Sequence, residues 1–193
     1  MIRNIKYFFL LIIIVIIGIF ISLYTNKSNN NDFFISKNLS ELNLITHRGD
    51  KLKSEEVLKL PSLFFFGFLN CPDICPNTLT EISNIINQLG KKSKKMNFFF
   101  VTVDPERDNV SNMHNYLSNF NEEIIGITGN TENVKKFLKS MHVYYKKITL
   151  DKDFYTLDHS SQIFIFKKSG KFFGTISLNE NEKVLLEKIM TVI

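Results

Sequence analysis

Tryptophan is absent, and the 193 residues contain only two cysteines, three arginines (Arg3, Arg48, Arg107) and four prolines. Two cysteines permit at most one disulfide, so no multi-bridge scaffold supports this chain. The scarcity of arginine bears on the basic balance, a formal net charge of +5. The cations are scattered lysines, and no element lines them up with interleaved aromatics, which excludes a nucleic-acid-binding module. The densest run, Lys91-Lys92-Ser93-Lys94-Lys95, reads as a solvated turn between a helix and a strand. No internal repeat is present. The missing tryptophan accompanies 19 phenylalanines and abundant Lys, Asn and Ile, a bias of A/T-rich coding rather than of function.

Charge is also missing where it matters for targeting. No charged residue occurs between Tyr7 and Tyr24, a length that as a helix spans a bilayer core about 30 Å thick. A secretory h-region is shorter, roughly 7–15 residues, and ends in a small-x-small cleavage site. The exit here, Phe20-Ile21-Ser22-Leu23-Tyr24-Thr25, offers neither that site nor a cysteine to carry lipid. The run has no polar face, which argues against a buried core helix. Arg3 and Lys6 precede it and hold the N-terminus in the cytoplasm. The sequence thus predicts residues 1–6 on the cytoplasmic side, a retained transmembrane anchor over 7–24, a polar Asn-rich linker over 25–32 and one exported domain over 33–193. With no Arg- and Ser-rich transit peptide, the expected location is a bacterial inner membrane with the domain in the periplasm. The alternative is a mitochondrial inner membrane, with the domain in the intermembrane space.

What is present is a foldable composition, 44% hydrophobic and 22% charged. Residues 63–68 and 96–103 are short apolar runs, as expected of strands buried on both faces. The stripe Leu79, Ile82, Ile85, Ile86, Leu89 predicts a helix over 78–89 that stops at Gly90. Further expectations are two short strands about the turn at 47–50, helices at 109–120, 131–141 and 180–190, and a strand at 124–128. A β-hairpin is expected from 162–166 and 171–176. This order predicts an α/β three-layer sandwich with a mixed central sheet, parallel inside with an antiparallel edge, of the thioredoxin-like type.

Both cysteines fall in Cys71-Pro72-Asp73-Ile74-Cys75-Pro76. Spacing of four puts two side chains on one face of a helical turn. The turn follows the carboxyl end of a central strand, where open α/β sheets carry their sites, and opens a helix whose N-terminus favours thiolate. The spacing leaves three roles open: a structural disulfide, a redox-active dithiol, and metal ligation. Of the four histidines, His47 and His114 are expected at the surface, and His142 follows a helix end. His159 lies in a loop before a hairpin strand, on the side of the sheet that carries the cysteine turn. Asp158 or a backbone carbonyl is expected to orient its ring.

The ordered blocks Phe66-Gly67-Phe68, Cys71 to Pro76, Val101-Thr102-Val103-Asp104-Pro105-Glu106-Arg107-Asp108, Gly126-Ile127-Thr128-Gly129, Val143-Tyr144-Tyr145 and Asp158-His159-Ser160 resemble the Sco/SenC family of cytochrome c oxidase assembly proteins. The resemblance covers roughly residues 43–173. It implies a thioredoxin-like fold behind a membrane anchor, with copper held by Cys71, Cys75 and His159. Asp104 and Arg107 would then stand near the site or serve as turn formers and surface ion pairs. Asn70 occupies a position where many relatives are expected to carry Thr, Ser or His. Thiolates are soft and select Cu(I), while imidazole suits either oxidation state of copper. The implied function is a copper metallochaperone acting on a cytochrome c oxidase subunit or another copper protein. The alternative is a membrane-tethered thiol–disulfide oxidoreductase that uses Cys71 and Cys75 on a partner's copper-binding cysteines.

Overall fold

A computed structural model describes residues 12–20, 35, 39–151, 154–177 and 180–193. The chain falls into two compact units, Met1–Phe33 and Phe34–Ile193. In the first, residues 12–20 form helix α1, whose apolar side chains are all exposed. Among the described residues no helix is long and apolar enough to cross a membrane. The rest of the anchor predicted over 7–24, and the linker over 25–32, lie outside the described residues.

The second unit is built on a six-stranded sheet. In chain order its elements are β1 (Ile45–Thr46), α2 (Ser54–Lys59), β2 (Ser62–Gly67), α3 (Ile74–Leu89), β3 (Asn97–Thr102), α4 (Val110–Leu117), β4 (Ile124–Thr128), α5 (Thr131–Ser140), β5 (Tyr145–Asp151), β6 (Phe154–His159), β7 (Ile163–Phe166), β8 (Phe172–Ile176) and α6 (Glu182–Val192). The spatial order is β1-β4-β3-β2-β7-β8. Strands β2, β3 and β4 are parallel, while β1 pairs antiparallel with β4 and β7 antiparallel with β2. The sheet is therefore mixed, with antiparallel strands at both margins rather than at one.

The phenylalanine runs divide between the two faces with the strand period of two. Leu63, Phe65, Phe98 and Phe100 pack in one core with Leu79, Ile82 and Ile86 of α3 and with Leu185 and Ile189 of α6. On the other face Phe64 meets Phe99, Phe166 and Phe137 of α5 at ring-centre distances of 4.9, 5.7 and 6.1 Å. Both faces are covered, which is why β2 and β3 carry continuous apolar runs.

Three elements depart from the sequence expectation. The first hairpin shrinks to the two-residue β1 and a single bridge between Ile45 and Lys51. Helix α3 begins at Ile74, a turn earlier than its apolar stripe, because the first turn carries Pro76 and Asn77 instead of stripe residues. Last, the segment before β7 is no simple loop. It folds into a separate two-stranded sheet, β5 against β6, that ends on His159.

Candidate functional site

The carboxyl end of β2 and the start of α3 set the cysteines. Gly67 ends β2, and a Cβ there would lie 2.7 Å from Cys75 Sγ and 2.9 Å from the Phe100 ring. Only a bare backbone lets the sulfur approach this closely. Cys75, in the first turn of α3, is fully buried, whereas Cys71 in the preceding loop is partly exposed. The two are free thiols rather than a disulfide. They do not sit as an i, i+4 pair on one helix face, because the helix starts after Cys71. Instead the Cys75 backbone N–H donates to Cys71 Sγ at 3.4 Å, so the outer sulfur caps an otherwise unpaired donor of the first turn.

This geometry separates the two thiols electrostatically. A hydrogen bond from the Cys75 side chain, helped by His159 and by the backbone N–H groups of Cys75 and Asp73, pulls Cys71 down to about 4 against the opposing effect of burial. The same bond, together with burial, pushes the Cys75 thiol up. The pair titrates as one unit: a single negative charge settles on the outer sulfur and opposes a second beneath it.

His159 arrives from the other side on the end of β6. Its Nδ1 is 2.9 Å from the Ser160 carbonyl. That oxygen can only accept, so Nδ1 carries a proton and Nε2 is the nitrogen turned toward the cysteines. Nε2 lies 4.0 Å from Cys75 Sγ, and the ring edge packs on Phe68 at 5.7 Å. The orienting group is thus the Ser160 carbonyl and not Asp158. Cys71, Pro72, Ile74, Leu157 and His159 line one cleft of about 390 Å³. As they stand, no three His, Cys, Asp or Glu side chains among the described residues are grouped tightly enough to hold a metal. The separation is small, however: bond lengths of about 2.3 Å to sulfur and about 2.0 Å to nitrogen add to more than 4.0 Å.

The other predicted positions resolve as follows. His114 is exposed, as expected, but His47 is buried at 8% exposure. Its Nδ1 accepts the Gly126 N–H at 2.9 Å and its ring stacks on His114, so it serves the β1–β4 margin. His142 follows α5 with φ 55°. Asp104 is buried and accepts from Arg107 Nε and, at 2.8 Å, from the Tyr155 hydroxyl. Burial first, then that bond, pushes Tyr155 up to about 12, so its hydroxyl stays a donor.

Two groups near the cysteines escaped the sequence reading. Asp108 is 1% exposed and accepts from Thr102 Oγ1 at 2.6 Å and from the Leu69 N–H at 3.2 Å; burial pushes its carboxyl up to about 6. The Tyr116 hydroxyl is buried with no hydrogen-bond partner. Burial first, then the negative charge of the cysteine pair, pushes its ionisation up. Tyr116 leaves no signal in the sequence, and Asp108, although it closes the block from Val101, shows its role only through its bonds to Thr102 and Leu69.

The site and fold can now be set beside known proteins. The SCO1/SenC family model matches residues 36–193. A "SCO2-like protein" of Rickettsia felis is 34% identical over 149 residues, 76% of this chain and 73% of that one. A structure of Bradyrhizobium japonicum ScoI with copper bound superposes with a TM-score of 0.73 at 33% identity, covering 78% of this chain and 96% of the other. Yeast Sco1 with copper bound gives 0.70 at 32% identity, over 77% and 83%. With a family model spanning most of its length and relatives above 30% identity across three quarters of it, this chain belongs to the SCO1/SenC family.

Proposed function

We propose that this protein is a membrane-anchored copper carrier that takes Cu(I) on Cys71, Cys75 and His159 and passes it to a copper centre of cytochrome c oxidase. The observation that carries the reading is the approach of the His159 imidazole Nε2 to a buried sulfur, 4.0 Å away, beside a cleft that also holds a thiolate. Two sulfurs and one nitrogen are a soft donor set that suits Cu(I). Relatives whose structures contain copper, from Bradyrhizobium japonicum and yeast, share this fold at about one third identity. A bound cation would also favour the deprotonated form of Cys75, which its bond to Cys71 and burial otherwise oppose. Two of the three donors, Cys71 and His159, line an open cleft, which leaves room for a partner's sulfur or nitrogen to join before one of the original ligands leaves. The apolar run over 7–24 supplies the anchor, with the domain on the periplasmic face of the inner membrane or its mitochondrial counterpart.

X-ray absorption on the full chain, anaerobically reduced, loaded with Cu(I) and kept in detergent, tests the ligand set. The expected first shell is two sulfurs and one nitrogen, with the nitrogen lost in His159→Ala and a sulfur lost in Cys71→Ser. An unchanged shell and unchanged copper retention in His159→Ala would refute the three-ligand site.

The split between an outer thiolate and an inner thiol supports a second reading, a thiol–disulfide oxidoreductase. Cys71 would attack a partner disulfide and expel one partner thiolate. Cys75 would then lose its proton and attack Cys71, expelling the second. The partner gains two electrons, the chain becomes oxidised, and an external dithiol restores it. Turnover on a mixed-disulfide substrate that survives His159→Ala but stops in Cys75→Ser would favour this reading over copper transfer.

A further inference from the structure

Among the described residues, strands β5 and β6 pair with each other and with no strand of the main sheet. A two-stranded hairpin is marginally stable in isolation, yet this one carries His159 on its last residue. Its position against the domain must come from side chains: Leu157 is buried, and the polar and stacking contacts converge on Tyr155, four residues before the histidine. Arg107, in the loop after β3, stacks its guanidinium on the Tyr155 ring at 3.7 Å and donates from Nη1 to the Tyr155 carbonyl at 3.1 Å. The Tyr155 hydroxyl donates to Asp104 at 2.8 Å, and Asp104 in turn receives Arg107 Nε. Lys147 of β5 lies 3.6 Å from the same ring and pairs with Glu106 at 3.2 Å.

The root of this cluster is rigid and close to the cysteines. Asp104 is 4% exposed, and its neighbour Val103 donates its N–H to the Gly67 carbonyl at the end of β2. Arg107 Nη2 is buried without a hydrogen-bond partner. A guanidinium that gives up solvent at one nitrogen while spending the other two on the hairpin and its anchor is placed for geometry, not for surface charge.

We propose that Asp104, Arg107 and Tyr155 are positioning residues: together they form a fixture that clamps the β5–β6 hairpin to the β2–β3 end of the sheet and so holds the His159 ring over the cysteine pair. The inference rests on the copper reading for its metal readout, but not for its mechanical one. The fixture touches neither sulfur nor the imidazole; it acts by fixing the strand from which the imidazole projects.

The test uses the full chain in detergent, anaerobically reduced, with Cu(I) titrated against a competing chelator. Arg107→Ala should weaken Cu(I) binding about 10- to 100-fold, the usual cost of removing a group that orients a metal ligand. It should also deplete the nitrogen neighbour in X-ray absorption. In a His159→Ala background the same substitution should change affinity by no more than about twofold, since the fixture would have nothing left to position. Equal losses in both backgrounds, or a wild-type copper shell in Arg107→Ala, overturn the proposal. Tyr155→Phe removes only the hydroxyl bond and keeps the stacked ring. It carries the same comparison should Arg107→Ala fail to fold, with a smaller loss of the same kind expected.

A metal-free arm separates this claim from the copper reading. Amide hydrogen exchange in the copper-free protein should accelerate selectively in β5 and β6 in Arg107→Ala and remain unchanged in β2 and β3. If the wild type shows no nitrogen at copper, the copper reading fails and exchange alone decides. Selective acceleration then upholds the fixture, and uniform or absent acceleration overturns it.

Discussion

Cys71 is the residue whose chemistry the surrounding geometry alters most usefully. Hydrogen bonds from the Cys75 side chain, from His159 and from two backbone N–H groups hold its thiol far below the ordinary range. Its alkylation by iodoacetamide in the reduced chain should therefore stay fast well below pH 7, with Cys75 unmodified. A rate that climbs only through pH 8–9, as for an ordinary thiol, would contradict the assignment. Asp108 works in the opposite sense. Burial raises its carboxyl to about 6, so its contribution to stability is in place below about pH 4 and is lost as pH rises through about 6. At neutral pH the buried carboxylate costs on the order of 3 kcal/mol relative to an unfolded aspartate. Asp108→Asn retains an acceptor for Thr102. Its urea midpoint relative to wild type should move in the variant's favour between pH 4 and pH 7, and a constant difference would remove Asp108 as the source.

At the scale of elements, β2, β3 and α3 could be read from sequence because burial on both faces writes an uninterrupted apolar run, and a helix on a core writes a stripe. The β5–β6 hairpin could not. Lys146, Lys147, Thr149, Leu150 and Asp151 are all exposed and show no clean alternation, because the hairpin leans on the domain through a few side chains, Tyr155 and the buried Leu157 of β6 among them, and β5 buries no face. His159 was accordingly legible as a residue that faces the cysteine turn, but not as the end of a strand. The cysteine spacing was legible too, yet it hid that one sulfur lies outside the helix and caps it. An element held by so few side chains opens more readily than the sheet it leans on. Native-state hydrogen exchange should show amides of β5 and β6 exchanging faster than those of β2 and β3; comparable protection across the two sheets would argue for a further attachment.

For the whole molecule, the division at Phe33 and Phe34 separates an apolar leader from a domain that carries every group of the site. The full chain should sediment with membranes and resist an alkaline carbonate wash, while a chain lacking residues 1–24 should be released. Release of the full chain by carbonate would rule out a spanning anchor. The depth of the two sulfurs has a consequence at this scale as well. Cys71 reaches solvent and Cys75 has no exposed surface, so any visiting protein touches them in a fixed order. In the copper reading proposed above, a donor and an acceptor both meet the outer sulfur first, and the inner one is reached only behind it, so the cleft has a single doorway.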